Sequence, residues 1–315
     1  MSHFATMVVG NVENQLMPFH EFETTGIRNE YVKMISELEE LKNDFEKDEI
    51  SMVKNIKTGE LFSRFNEKLF SVSDEISLPE EHEEIKITPK EFYGSFKDFL
   101  IDYCHITKFF YDTKEAEEKE GLFEFAIQNE KEDIIDVFRL TNPNAKWDWF
   151  VEGGRWNNFL LTKEGYEVNS AKKKDIDFEA MANAKVNEAR DFYEGLENLF
   201  EGEIPKIKTM NECENRYEYE QQEAVKKMSD YFDEKGMFFF NFDEFQVSKN
   251  EYLEKARKEA ILTFAFVKNY TWHERANMGW FGISTNERND WPDIFNDLLE
   301  SVDEKETITI VDCHI

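Results

Sequence analysis

His3-Phe4-Ala5-Thr6-Met7-Val8-Val9 near one end of the chain and Thr307-Ile308-Thr309-Ile310-Val311 near the other decide the fold reading. The first stretch predicts a strand over residues 2–9. Phe4, Thr6 and Val8 fall on one side and Ala5, Met7 and Val9 on the other, so both faces are mostly apolar and require cover. Gly10-Asn11 ends it. The second stretch alternates cleanly and runs on into Asp312-Cys313-His314-Ile315. Strands at both ends with helices between them suit a split βαβ pair, a ferredoxin-like core whose terminal strands lie side by side. His3 and the Asp312–His314 region then fall in one layer. The expected class is α+β, built as a single body. Residues 1–50 and 261–315 supply the core sheet, and 51–260 supply inserted helices and hairpins.

Beyond the first strand, a short helical stretch stops near Pro18. Tyr31, Ile35, Leu38, Leu41 and Phe45 predict an amphipathic helix over 27–47. Residues 48–87 carry two short strand-like pieces and an acidic loop around Pro79-Glu80-Glu81-His82-Glu83-Glu84. Thr88-Pro89-Lys90-Glu91 is a capping-box helix start, and the Phe92-to-Phe110 stripe extends that helix to about 112, through Gly94. Strands at 122–128 and 133–140 flank a polar turn, and strand-like segments run from Trp147 to Val168. Helices are expected at 177–200, 214–235 and 249–260, the last opened by Ser248-Lys249-Asn250-Glu251. A strand at 261–268 and a helix from Trp291 to Val302, capped by Asp290, precede the final strand.

The chain has 315 residues and a net charge of −30, with 68 acidic against 38 basic residues. Thirty Phe, eleven Tyr and six Trp are far too much aromatic surface for an acidic disordered chain. The acidity disfavours direct contact with nucleic acid, because the one dense basic run, Lys172-Lys173-Lys174, is followed at once by Asp175 and Asp177. It suits an acidic face that docks on a basic surface of another protein, or plain solubility. The longest apolar runs, such as Met237-Phe238-Phe239-Phe240, are too short to span a bilayer, and the opening residues have no signal-peptide pattern. Cys104, Cys213 and Cys313 are scattered, which favours a reducing, cytoplasmic setting over a disulfide scaffold.

The densest chemistry lies in Trp147-Asp148-Trp149-Phe150-Val151-Glu152-Gly153-Gly154-Arg155-Trp156. A strand here puts Trp147 and Trp149 on one face. Gly153-Gly154 frees the backbone for a tight turn, and the planar Arg155 guanidinium suits an anion. This reads as a recognition site for a flat or anionic ligand, or for a partner. The plainer reading is a Trp-rich core with Arg155 paired to an internal carboxylate. His20-Glu21, His273-Glu274 and the Asp312/His314 pair are secondary candidates. No HxxxH, HExxH, GxGxxG, Walker or GxSxG pattern occurs, so no catalytic residue, metal site or cofactor is assigned. Cys104, within a Phe-rich stripe, reads as a small buried hydrophobe, whereas Cys313 beside His314 suggests a nucleophile, on a segment that would need anchoring.

Several segments resemble a family of uncharacterised bacteriophage proteins. They are Met1-Ser2-His3-Phe4, Pro18-Phe19-His20-Glu21-Phe22-Glu23 with Thr25-Gly26, Asn142-Pro143-Asn144 with Trp147-Asp148-Trp149, and Gly153-Gly154-Arg155-Trp156. Asp175-Ile176-Asp177-Phe178-Glu179-Ala180-Met181, Glu274-Arg275 with Met278-Gly279-Trp280, and Val311-Asp312-Cys313-His314-Ile315 complete the set. The resemblance implies phage origin and action in the host cytoplasm, in an accessory role. The expected function is therefore binding and inhibition of a host protein, as in host takeover or anti-defence, without turnover. The target could be a nucleic-acid-binding defence protein, and a homo-oligomer is possible. The alternative is a protein that binds or processes a nucleotide or small ligand at the Trp/Gly-Gly/Arg region.

Overall fold

The computed structural model describes residues 2–63, 81–119, 121–237, 242–278 and 283–315. The fold is α+β, and the chain divides into two compact units. One comprises Met1–Phe19 with Trp147–Ile315, and the other His20–Lys146.

The first unit is built on a six-stranded sheet. The first strand, His3–Val9, pairs antiparallel with the last, Thr307–His314, from His3 opposite His314 to Val9 opposite Ile308. The expected adjacency of the terminal strands therefore holds. The other edge of the last strand is shared by two short strands, Ser170–Lys172 beside Thr307–Thr309 and Trp149–Glu152 beside Val311–His314. On its far side the first strand pairs with Ala265–Lys268, which forms a hairpin with Thr271–Glu274.

The split βαβ order is not confirmed. Ala265–Lys268 lies directly beside the first strand and parallel to it, whereas a split unit would insert an antiparallel strand between them. The core segments also differ from expectation. Residues 20–50 fall in the second unit, and two strands from the expected insertion join the main sheet. The eight-residue last strand is longer than either short partner, so its exposed backbone donors and acceptors are paired in two pieces.

Strand alternation gives the sheet two covered faces. Met7, Val9, Ile308 and Ile310 share a cluster with Phe266, Trp291, Phe295 and Leu299. The last three recur every four residues on the helix Trp291–Glu300, which lays that stripe on the sheet. Phe4, Val8, Val311 and Cys313 point the other way and pack with Leu16, Phe19 and Trp147. A third cluster joins Leu196 of the helix Phe178–Leu199, Phe232 of Glu223–Glu234 and Tyr252 of Lys249–Glu259. The expected helix at 214–235 is two, Arg216–Gln221 and Glu223–Glu234, because Gln222 takes extended angles (φ −63°, ψ 131°).

In the second unit a four-stranded sheet runs Lys33–Ser36, Ile134–Thr141, Glu124–Gln128, Phe109–Phe110. A three-stranded sheet centres on Ile50–Asn55. Two helix expectations are corrected here. The 27–47 stripe splits into the strand Lys33–Ser36 and the helix Leu38–Lys47, because Met34 and Ile35 pair with Leu140 and Arg139. The 88–112 helix breaks at Gly94, whose φ of 74° lies outside the helical region. Ser95 caps a second helix that stops at Asp102. Residues Pro79 and Glu80 of the acidic loop, and Phe238–Phe240 of the apolar run, lie outside the described residues, while His82–Glu84 begin a strand. No helix among the described residues is long and apolar enough to cross a membrane.

Candidate functional site

The period of two that buries Met7, Val9, Ile308 and Ile310 puts His3, Asp312 and His314 on the same face, at the other end of the same strands. There they meet. His3 Nδ1 lies 2.9 Å from Asp312 Oδ1. His314 Nδ1 lies 2.7 and 2.9 Å from the two oxygens of Asp148, just before the edge strand. The two imidazoles touch edge to face, their centroids 4.9 Å apart. Trp149, opposite His314 in the register, stacks on it at 4.8 Å and 17° and meets His3 at 5.2 Å.

Each imidazole is thus oriented through Nδ1 by a carboxylate. Neither Nε2 has a hydrogen-bond partner among the described residues. An imidazole held this way presents its second nitrogen for a proton, an anion or another acceptor, according to its protonation state. Asp312 is only 3% exposed, so its charge needs full compensation. Oδ1 has His3, and Oδ2 accepts the backbone N–H of Arg155 at 3.0 Å.

The Gly153-Gly154 turn makes that second bond. Both glycines have positive φ, 73° and 50°. A Cβ on Gly154 would overlap the Asp312 side chain, and one on Gly153 would overlap Asn169. Bare backbone is therefore what lets the turn close over the carboxylate. Asn169 locks the turn from outside, accepting the Asn158 N–H at 2.6 Å and donating to Asn157 Oδ1 at 2.9 Å.

The sequence-selected motif does not act as one patch. Trp147 is buried, with Nε1 donating to the Leu16 carbonyl at 3.0 Å, and it belongs to the core on the opposite face. Trp156 packs against the cluster under the Trp291–Glu300 helix. Only Trp149, 43% exposed, borders the histidines. Trp147 precedes the strand that starts at Trp149, so alternation does not bind the two rings to one side. Arg155 contributes its backbone, while its exposed guanidinium has no ion pair among the described residues.

His3 is not among the sequence-selected residues. Its signal was the pairing of the terminal strands, which already puts it in the layer of Asp312 and His314. His20 and Glu21 lie in the second unit, where the His20 carbonyl accepts from Asn142 Nδ2 at 2.9 Å. On the hairpin, Glu274 accepts from Trp272 Nε1 at 2.9 Å. Burial and the nearby Arg288 hold His273 below the usual imidazole range. Met278 ends a short strand, and Gly279 and Trp280 lie outside the described residues.

Cys313 sits between Asp312 and His314 but points to the opposite face, 0% exposed. Burial pushes its thiol up to about 12, so it stays protonated and is no nucleophile at neutral pH. Among the described residues no three His, Cys, Asp or Glu side chains are grouped to hold a metal ion. No family model matches this chain, and comparison with curated proteins and with solved structures gives no match.

Proposed function

We propose that this chain is a binding protein whose working surface is the exposed Trp149 ring, backed by His3 and the buried His314, with the exposed Arg155 next along the chain from the Gly153-Gly154 turn. One observation carries the reading. Two carboxylate-oriented imidazoles with no partner for Nε2 among the described residues adjoin a Trp ring that is 43% exposed, and the exposed Arg155 guanidinium has no ion pair among those residues. An exposed aromatic beside donors for an anion is the composition of a binding hot spot. The partner that fits presents an acidic or flat polar group to this edge. In the setting the sequence resemblance suggests, it is a host protein, bound and blocked in the host cytoplasm by a phage accessory protein.

Affinity capture from host lysate tests this, comparing the wild-type protein with Trp149→Ala and Arg155→Ala. The expected result is a host protein retained by the wild type and lost from both variants at unchanged thermal midpoint. Retention by both variants would overturn the reading. A contribution from the acidic surface should weaken capture between low and physiological salt, where screening shortens the reach of exposed charges to about 8 Å.

A nucleotide is the second reading. It is favoured by the Trp149 ring, which offers an open stacking surface next to anion donors. Saturable quenching of Trp fluorescence by a nucleoside monophosphate, absent in Trp149→Phe and Arg155→Ala, would select it.

A further inference from the structure

The helices Phe178–Leu199 and Lys249–Glu259 pack together around a cleft of about 230 Å³. Ala189 on one and Ala256 on the other line it, and their small side chains leave the space open. Phe192 and Tyr252 supply aromatic wall. Glu244, on the single turn Asp243–Gln246, also lines the cleft.

Glu244 is the unexplained group. Its carboxylate has no hydrogen bond and no ion pair within 4.0 Å among the described residues, although it is only partly exposed. Burial pushes its carboxyl up, while Lys255 and Lys185 act on it only at longer range in the opposite direction. Lys185 is committed to Glu188 at 2.6 Å. A partly exposed carboxylate that lines a cleft and has no donor among the described residues is open to a cationic group from outside the chain.

We propose that this cleft binds a small organic amine, with the ammonium on Glu244 and an apolar or aromatic body between Phe192 and Tyr252. The aromatic walls favour a cation as well as a hydrocarbon. The volume suits a ligand of fragment size, below the usual range for drug-sized sites. The site lies in the helical part of the first unit, uses none of the residues at the sheet edge, and does not depend on the function proposed for them.

The test uses the full chain with phenethylamine as probe and 2-phenylethanol as its uncharged counterpart, read by chemical-shift titration. The expected result is saturable phenethylamine binding with shifts at Ala189, Phe192 and Ala256. The alcohol should bind at least tenfold more weakly, and Glu244→Gln should lose about the same factor. Ala256→Leu, which fills the cleft, should abolish binding; if it fails to fold, Glu244→Gln decides alone. Equal binding of amine and alcohol, undiminished binding by Glu244→Gln, or no saturable binding at millimolar amine would each overturn the proposal.

Discussion

The first and last strands carry two halves of one sheet face that differ in almost everything except geometry. At one end Met7, Val9, Ile308 and Ile310 lie under Trp291, Phe295 and Leu299. At the other, His3, Asp312 and His314 lie beside the Gly153–Trp156 turn and Trp149. The strands, their pairing and the side of the sheet are the same. What changes is the cover. A helix brings side chains and excludes water, whereas a glycine turn brings a backbone N–H group and leaves the Trp149 ring exposed. Buried polar groups are tolerated in the second half because each carboxylate oxygen that faces inward has a donor.

The apolar half should give the largest effect. Phe295 is 0% exposed and sits edge-on to Phe266 and Trp291. Phe295→Ala should cost about 3–5 kcal/mol in denaturant unfolding. A loss under about 1 kcal/mol would mean that this half is no better sealed than the other.

The polar half should respond less, and through named donors. Asp312→Ala leaves His3 Nδ1 and the Arg155 N–H without their acceptor. Hydrogen bonds to a charged group suggest a loss of about 2–3 kcal/mol. Amide exchange at Arg155 should accelerate beyond the global change, and unchanged exchange there would show that the turn is held by other contacts.

Cys313 separates the two faces by its pH response. Its folded thiol, at about 12, lies above the ordinary value of about 8.5 expected on unfolding. The folded state therefore keeps a proton that the unfolded state releases. Its contribution is full below about pH 8.5 and is lost as pH rises toward about 12, at up to about 1.4 kcal/mol per pH unit. Cys313→Val should flatten the alkaline limb of a stability-pH curve without removing it, since burial also raises Tyr219, to about 12. An identical limb in the variant would place the thiol in contact with water.

Much of this was legible where one periodicity ruled. The terminal strands, their adjacency and the Ser248 capping box follow from alternation and local capping chemistry, and the Trp291 helix from its apolar stripe and early Pro292, since Asp290 precedes that helix without making a side-chain cap bond. The failures share a cause. Ile35 fits a helical stripe as well as a strand, and pairing with Arg139 made the choice. Gly94 was compatible with either a weak helix or a break, and only the packing of two short helices selects the positive φ. The site was half legible. Asp312, His314, Asp148, Trp149 and the glycines stood out by type, but the opposite fates of Trp147 and Trp149 depend on where the edge strand begins. His3 gains its role only through a partner 309 positions away.

Arg155 gives the smallest expected change in stability and separates the role of the turn from that of the guanidinium. In a core role, its guanidinium would neutralise a buried carboxylate, and its removal would cost roughly 3–5 kcal/mol. The carboxylate is present, as Asp312, but the contact comes from the Arg155 backbone N–H, which alanine retains. The side chain is exposed and has no ion pair among the described residues. Arg155→Ala should therefore shift stability by less than about 0.5 kcal/mol, the range of an ordinary surface change. Asp312→Ala, acting on the same bond from its other side, should cost several times more. Equal losses in the two variants would mean that the guanidinium, rather than the turn, holds the carboxylate. Unequal losses, with capture of a partner abolished in Arg155→Ala alone at full stability, would assign the fork to recognition.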